Sequence, residues 1–161
     1  MNSQKIFVVE DEAILAGDLS DQIQELGYEV SGIADNAEEA IRSAIADKPD
    51  LVFMDINLKG SKDGKDGVYA ATQIRKQLGI PVVFLTAFSD RETLARAKVA
   101  EPFGYLHKPC QSRDIRTAIE IALHKHATEK EIVRSEKQFR QTLESMGEGV
   151  VAVDPQGKIS L

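Results

Sequence analysis

Three short, unbroken apolar runs limit the fold of this chain more than any other feature. They are Ile6-Phe7-Val8-Val9, Leu51-Val52-Phe53-Met54 and Val82-Val83-Phe84-Leu85. Continuous apolar runs of this length, bounded by breakers, fit strands buried on both faces, as in a parallel sheet. All are far too short to cross a bilayer. The middle run follows Lys48-Pro49-Asp50 and leads straight into Asp55. A carboxylate inside a doubly buried strand would carry a large desolvation penalty, so Asp55 belongs at the end of the strand, where the chain surfaces.

The segments between these runs read as helices. Ile14, Leu15, Leu19, Ile23 and Leu26 keep helical spacing from Ala13 to Leu26, and Gly27 stands where a helix stop is expected. Tyr28 to Ala34 reads as a strand. Asn36 with Glu39 resembles a capping box for a helix over Ala37 to Ala46. After Asp55 comes a loop rich in Gly, Lys and Asp (57–67), then a helix over Val68 to Leu78 stopped by Gly79. Ile80 to Thr86 is the next strand. Ser89 and Glu92 suggest a second capping box, with a helix through Lys98, and Gly104 to His107 is a short fifth strand closed by Lys108-Pro109. Strands alternating with helices in this way predict a doubly wound α/β fold, with helices on both faces of a five-stranded parallel sheet.

From Ser112 to Met146 there is no proline or glycine. Ile115, Ala118, Ala122, Ile132, Phe139, Leu143 and Met146 share one alternating three-four register, broken by Lys125, Glu129 and Glu136. This predicts a long C-terminal helix that leaves the domain and pairs with a second helix, a homodimer being the expected arrangement. After Gly147-Glu148-Gly149, the segments Val150–Val153 and Lys158–Leu161 around Asp154-Pro155-Gln156-Gly157 read as a hairpin. A lone hairpin is not stable by itself, so the expectation is a chain that stops inside a further domain.

Charge is unevenly placed. Residues 1–110 hold 12 Lys and Arg against 18 Asp and Glu, whereas 111–161 hold eight of each. An acidic front domain argues against binding nucleic-acid phosphates and favours a cation or a basic protein partner. The single cysteine, Cys110, excludes an internal disulfide, and no signal peptide opens the chain, so a cytoplasmic setting without a membrane segment is expected.

Sites in open parallel sheets form at the carboxyl ends of the strands, where the strand order reverses. With strand order 2-1-3-4-5, Glu10-Asp11 and Asp55 end neighbouring strands, and Thr86 and Lys108 end the next two. Two carboxylates about 4 Å apart repel by roughly 4 kcal/mol at an effective dielectric of about 20. Such a notch calls for protonation or a cation, and an all-oxygen set suits Mg²⁺. One carboxylate can then serve as nucleophile toward a phosphoryl group, with a hydroxyl and an ammonium holding the other oxygens.

Taken together, Glu10-Asp11, Met54-Asp55-Ile56, Thr86-Ala87 and Lys108-Pro109 resemble the motif set of response-regulator receiver domains, over residues 5 to about 125. The resemblance implies a flavodoxin-like fold with Asp55 as phosphoacceptor. It implies Mg²⁺ ligated by Asp11, by Glu10 through water, by Asp55 and by the Asn57 carbonyl. Lys108 would pair with the phosphoryl group through a cis bond to Pro109. Thr86 and Tyr105 would be switch residues, and the partner a histidine kinase or phosphotransfer protein. The implied division is a receiver at 1–124, a helical coiled-coil linker at 125–146 and the start of a PAS-like domain at 147–161. The last follows from the likeness of Ser135–Arg140, Met146–Val150 and Asp154-x-x-Gly157 to a PAS entry, with an output such as a histidine kinase beyond. Two features depart from the family pattern. Asp63-Gly64-Lys65-Asp66-Gly67 looks like an insertion of about three residues, and Phe88 is bulky at a position that, with Asn57, tunes dephosphorylation.

Each residue alone has a plainer reading. Glu10-Asp11-Glu12 could be an acidic helix start favoured by the dipole, Asp55 a turn cap, Tyr105 a strand aromatic, and His107, His124 and His126 structural or solvated. An aspartyl phosphatase would want a second Asp where Asn57 stands, and a nucleotide binder a Gly-rich loop where Glu10-Asp11-Glu12 would repel phosphate. A receiver that acts by protein contact alone, without phosphorylation, is the remaining alternative.

Overall fold

The structure, a computed structural model, describes residues 3–58, 63–87, 91–145, 152–153 and 159–160. The chain separates into two units, residues 1–125 and 126–161. The first contains β1 (Lys5–Val9), α1 (Ala13–Glu25), β2 (Glu29–Ala34), α2 (Ala37–Asp47), β3 (Leu51–Asp55) and α3 (Gly67–Leu78). It continues through β4 (Val82–Thr86), α4 (Arg91–Ala97), a 3-10 turn (Lys98–Ala100) and β5 (Gly104–His107) into α5 (Ser112–Ser145).

The five strands form one parallel sheet in the order β2-β1-β3-β4-β5. This is the flavodoxin-like α/β fold with a long C-terminal helix that the sequence predicts. Every residue of β3 and β4 is buried, as doubly covered central strands require. One face packs Phe7, Val52, Met54 and Phe84 against Ala40, Ala44, Ala71 and Ile74 of α2 and α3. The other packs Val8, Phe53 and Leu85 against Leu19 and Ile23 of α1 and Ile115 and Ile119 of α5.

Local chemistry sets the ends of these elements. The Asn36 side chain accepts the Glu39 amide at 2.9 Å, so the N-cap half of the first expected capping box forms, and the Glu39 carboxylate accepts from the Asn36 side-chain amide at 3.4 Å. Gly27 and Gly79 take positive φ angles of 95° and 66° at the ends of α1 and α3. β4 starts at Val82 rather than Ile80, because Pro81 has no N–H to give the ladder. Beyond α4 the chain tightens into the 3-10 turn and closes on left-handed Glu101, whose N–H donates to the Lys98 carbonyl. Ser89 of the second expected capping box lies outside the described residues, as do Phe88 and Met146.

α5 departs from the expected seam within the first unit. Ile119, absent from that register, is fully buried beside Ile115 and Ala122, whereas Ala118 is only partly covered. A helix lying on a sheet buries a wider stripe than the narrow seam of a coiled coil. In the second unit, Ile132 and Phe139 are 54% and 66% exposed. There β6 (Ala152–Val153) pairs antiparallel with β7 (Ile159–Ser160), within the expected hairpin strands.

Candidate functional site

Parallel pairing of β1 with β3 aligns Val9 with Met54, so the residues that follow, Glu10-Asp11 and Asp55, surface side by side. Carboxylate oxygens of Glu10, Asp11 and Asp55 lie within 4.8 Å of one another. Glu10 and Asp55 are only 2% and 4% exposed. Two strands away, β5 ends next to β4, and the Lys108 amide donates to the Thr86 carbonyl at 2.8 Å. That bond returns the lysine side chain across the rim. Its Nζ lies 2.7 Å from Glu10 Oε2 and 3.1 Å from Asp55 Oδ2.

Electrostatics follow from this crowding. Burial, and then the Glu10 charge, push the Asp55 carboxyl up to about 7, while Lys108 pulls the other way. Burial would lower Lys108, but its hydrogen bonds and charge attraction to Glu10 and Asp55 outweigh it, so its pKa is raised. Three carboxylates thus face one ammonium. The surplus negative charge and the all-oxygen donor set fit a hard divalent cation such as Mg²⁺. The Asn57 amide donates to Asp55 Oδ1 at 3.1 Å and fixes the remaining oxygen.

The structure therefore brings Glu10, Asp11, Asp55, Asn57 and Lys108 together. Thr86 is fully buried at the end of the adjacent strand, but its hydroxyl lies 3.1 Å from His107 Nδ1. Tyr105, on the outer strand, is 39% exposed and stacks on Phe84 with ring centroids 6.1 Å apart. It stands apart from the carboxylate cluster.

Three supporting residues escaped the sequence reading. α3 begins at Gly67, one residue earlier than expected, with Asp66 accepting the Tyr69 amide at 3.0 Å. Asp66 is also paired with Arg96 of α4. A Cβ on Gly67 would lie 1.9 Å from the Asp55 carbonyl oxygen, so only glycine lets the helix start against the end of β3. The two Asp-Gly pairs consequently have different jobs. Asp63 and Gly64 make a turn with φ of 56° and 72°, whereas Asp66-Gly67 caps and seats α3. An Asp-Gly pair directly before a helical pattern was the available signal. His107 is the third missed group, and the β4–β5 register that sets it opposite Thr86 is not written in either segment alone.

Cys110 is half-buried, and its surroundings, burial first, push the thiol up to about 11. It stays protonated at neutral pH and is a poor nucleophile. No described helix is long and apolar enough to cross a membrane.

Comparison with known proteins matches the response regulator receiver domain over residues 6–120. The chain is 39% identical over 120 residues to the transcriptional regulatory protein PdtaR of Mycobacterium tuberculosis, covering 74% of this chain and 57% of that protein. It therefore spans about half the length of that relative. Among solved structures, it is similar to the signal receiver domain of a modulated diguanylate cyclase from Desulfovibrio desulfuricans. The TM-score is 0.74 at 39% identity, covering 80% of this chain and 99% of that one. It is also similar to the N-terminal domain of a response regulator/sensory box/GGDEF 3-domain protein from Carboxydothermus hydrogenoformans. Here the TM-score is 0.70 at 31% identity, covering 78% of this chain and 98% of that one.

Proposed function

The chain belongs to the response-regulator receiver family, and from that premise we propose that Asp55 accepts a phosphoryl group from a histidine kinase or phosphotransfer protein. The observation that carries the proposal is the meeting of Glu10, Asp11 and Asp55 with Lys108 at one sheet rim. Asp55 is the nucleophile because it ends the central strand, with one oxygen held by the Asn57 amide and the other facing Lys108.

Glu10, Asp11, Asp55 and the Asn57 carbonyl would hold Mg²⁺, which supplies positive charge against the carboxylates and the incoming phosphoryl oxygens. With its carboxyl at about 7, Asp55 is partly protonated near neutrality, and added positive charge favours the ionised, nucleophilic form. Lys108 would neutralise the phosphoryl oxygens once the carboxylate it now faces carries the phosphoryl group as an acyl phosphate. Thr86 supplies a hydroxyl from the neighbouring strand end, and Tyr105 changes its exposure with the switch.

The test is intact mass after incubation with Mg²⁺ and a small phosphoryl donor, comparing the parent with Asp55→Asn. A single adduct that requires Mg²⁺ and is missing in the variant supports the reading. Tight Mg²⁺ binding without an adduct refutes small-donor chemistry and points to a receiver that acts by contact alone or strictly needs its kinase.

We assign residues 1–124 to the receiver, 125–146 to a helical linker and 147–161 to the opening of a PAS-like module, with the linker pairing two copies in a parallel dimer. Exposed Ile132 and Phe139 support the pairing, and the order receiver then sensory box in the Carboxydothermus relative supports the module. A monomer in light scattering, with and without phosphoryl analogue, would refute the dimer.

A further inference from the structure

Thr86 offers one hydroxyl, and a hydroxyl carries one donor proton and occupies one rotamer at a time. β4 and β5 set Thr86 opposite His107 in parallel register, two residues beyond the opposed and stacked pair Phe84 and Tyr105. The Thr86 hydroxyl lies 3.1 Å from His107 Nδ1. When Nδ1 is unprotonated it accepts the hydroxyl proton. When Nδ1 carries hydrogen it donates to Oγ1. Either way the Thr86 rotamer is held toward β5. Thr86 is fully buried, so water does not compete for the hydroxyl as it would on the surface.

We propose that His107 is a positioning residue for the reaction at Asp55, holding the Thr86 hydroxyl on β5 and so opposing its use at a phosphoryl group on Asp55. The inference rests on Asp55 being the phosphoacceptor and goes beyond it, by naming the contact the hydroxyl must give up. The released bond is a part-buried hydrogen bond between a hydroxyl and an imidazole nitrogen. Its loss from the resting state should shift the balance toward the phosphoryl-bound arrangement by roughly two- to tenfold.

The experiment titrates beryllium fluoride, a phosphoryl analogue, into the Mg²⁺-loaded protein and follows the backbone amide resonances of Asp55 and Gly67 by NMR, a probe shared by every variant. The variants are His107→Leu, which removes the ring nitrogen, and His107→Asn, which keeps a polar atom close to the Nδ1 position. His107 is exposed, so the two replacements leave the core packing intact. The expected result is analogue affinity two- to tenfold tighter in H107L and near the parent value in H107N. The effect of H107L should vanish in a Thr86→Val background. Unchanged or weaker binding in H107L, or the same gain with and without the threonine hydroxyl, overturns the inference. A parent that binds analogue while H107L matches it removes this inference alone. A parent that takes up neither analogue nor phosphoryl group removes the assignment of Asp55 as well.

Discussion

Replacing Asp55 by asparagine should stabilise the metal-free protein, and the gain should depend on pH in a defined way. The Asp55 carboxyl sits at about 7 in the folded chain against an ordinary 3.8. A raised carboxyl binds its proton more tightly in the folded state, so stability from this group is full below about pH 4 and is lost as pH rises toward 7. Above pH 7 the loss is complete. Three pKa units correspond to about 4 kcal/mol, and solvent screening at the rim brings the expected figure to about 2–3 kcal/mol. The asparagine side chain has no charge to bury, although its amide is a poorer partner for Lys108. Thermal denaturation of parent and Asp55→Asn in chelator, from pH 4 to pH 8.5, reads the difference directly. The variant's advantage should be absent near pH 4, grow between pH 4 and 7, and level off above. Saturating Mg²⁺ should stabilise the parent more than the variant and narrow the gap. A variant no more stable than the parent at pH 8, or an advantage independent of pH, would refute the claim that uncompensated burial strains this site.

Other perturbations test the scaffold around it. Gly67→Ala places a methyl against the Asp55 carbonyl, so it should cost about 1–3 kcal/mol in chemical denaturation and weaken Mg²⁺ binding by displacing the end of β3. Asp66→Ala should cost about 1–2 kcal/mol through the lost α3 cap, whereas Arg96→Ala, removing a largely exposed partner, should cost under about 1 kcal/mol. Equal losses would show that the ion pair, not the cap, dominates. Cys110 should react with iodoacetamide at pH 8 at least about 100-fold more slowly in the native than in the unfolded protein, because a thiol at about 11 is almost wholly protonated. Comparable rates would mean that the loop after Lys108 opens readily.

The sequence itself determined the layers and the acidic rim. Leu51 to Met54 and Val82 to Leu85 are apolar at every position, which only a strand covered on both sides can use. Asp55 could then sit nowhere but the rim, and the alternation of strands with helices placed Glu10, Asp11 and Lys108 on the same edge. Asn36 announced its helix because capping is a local bond between residues three apart. Asp66-Gly67 was less legible, since two Asp-Gly pairs compete in one loop and only the approach to the Asp55 carbonyl tells them apart.

The tertiary structure decided what depends on distance across strands. Ile119 joined the core because α5 meets a broad sheet rather than a second helix. Lys108 was legible as a cation at the rim, but its simultaneous contact with Glu10 and Asp55 exists only once β1, β3 and β5 end at one level. The raised carboxyl of Asp55 is likewise a property of the packed site, because desolvation has no counterpart in a string of residues. The pairing of Thr86 with His107 joins positions 21 apart through the β4–β5 register. A local pattern can fix which residues face the core or end a strand. Which polar groups meet across the sheet is set by register and packing, and the chain acquires those only when it folds.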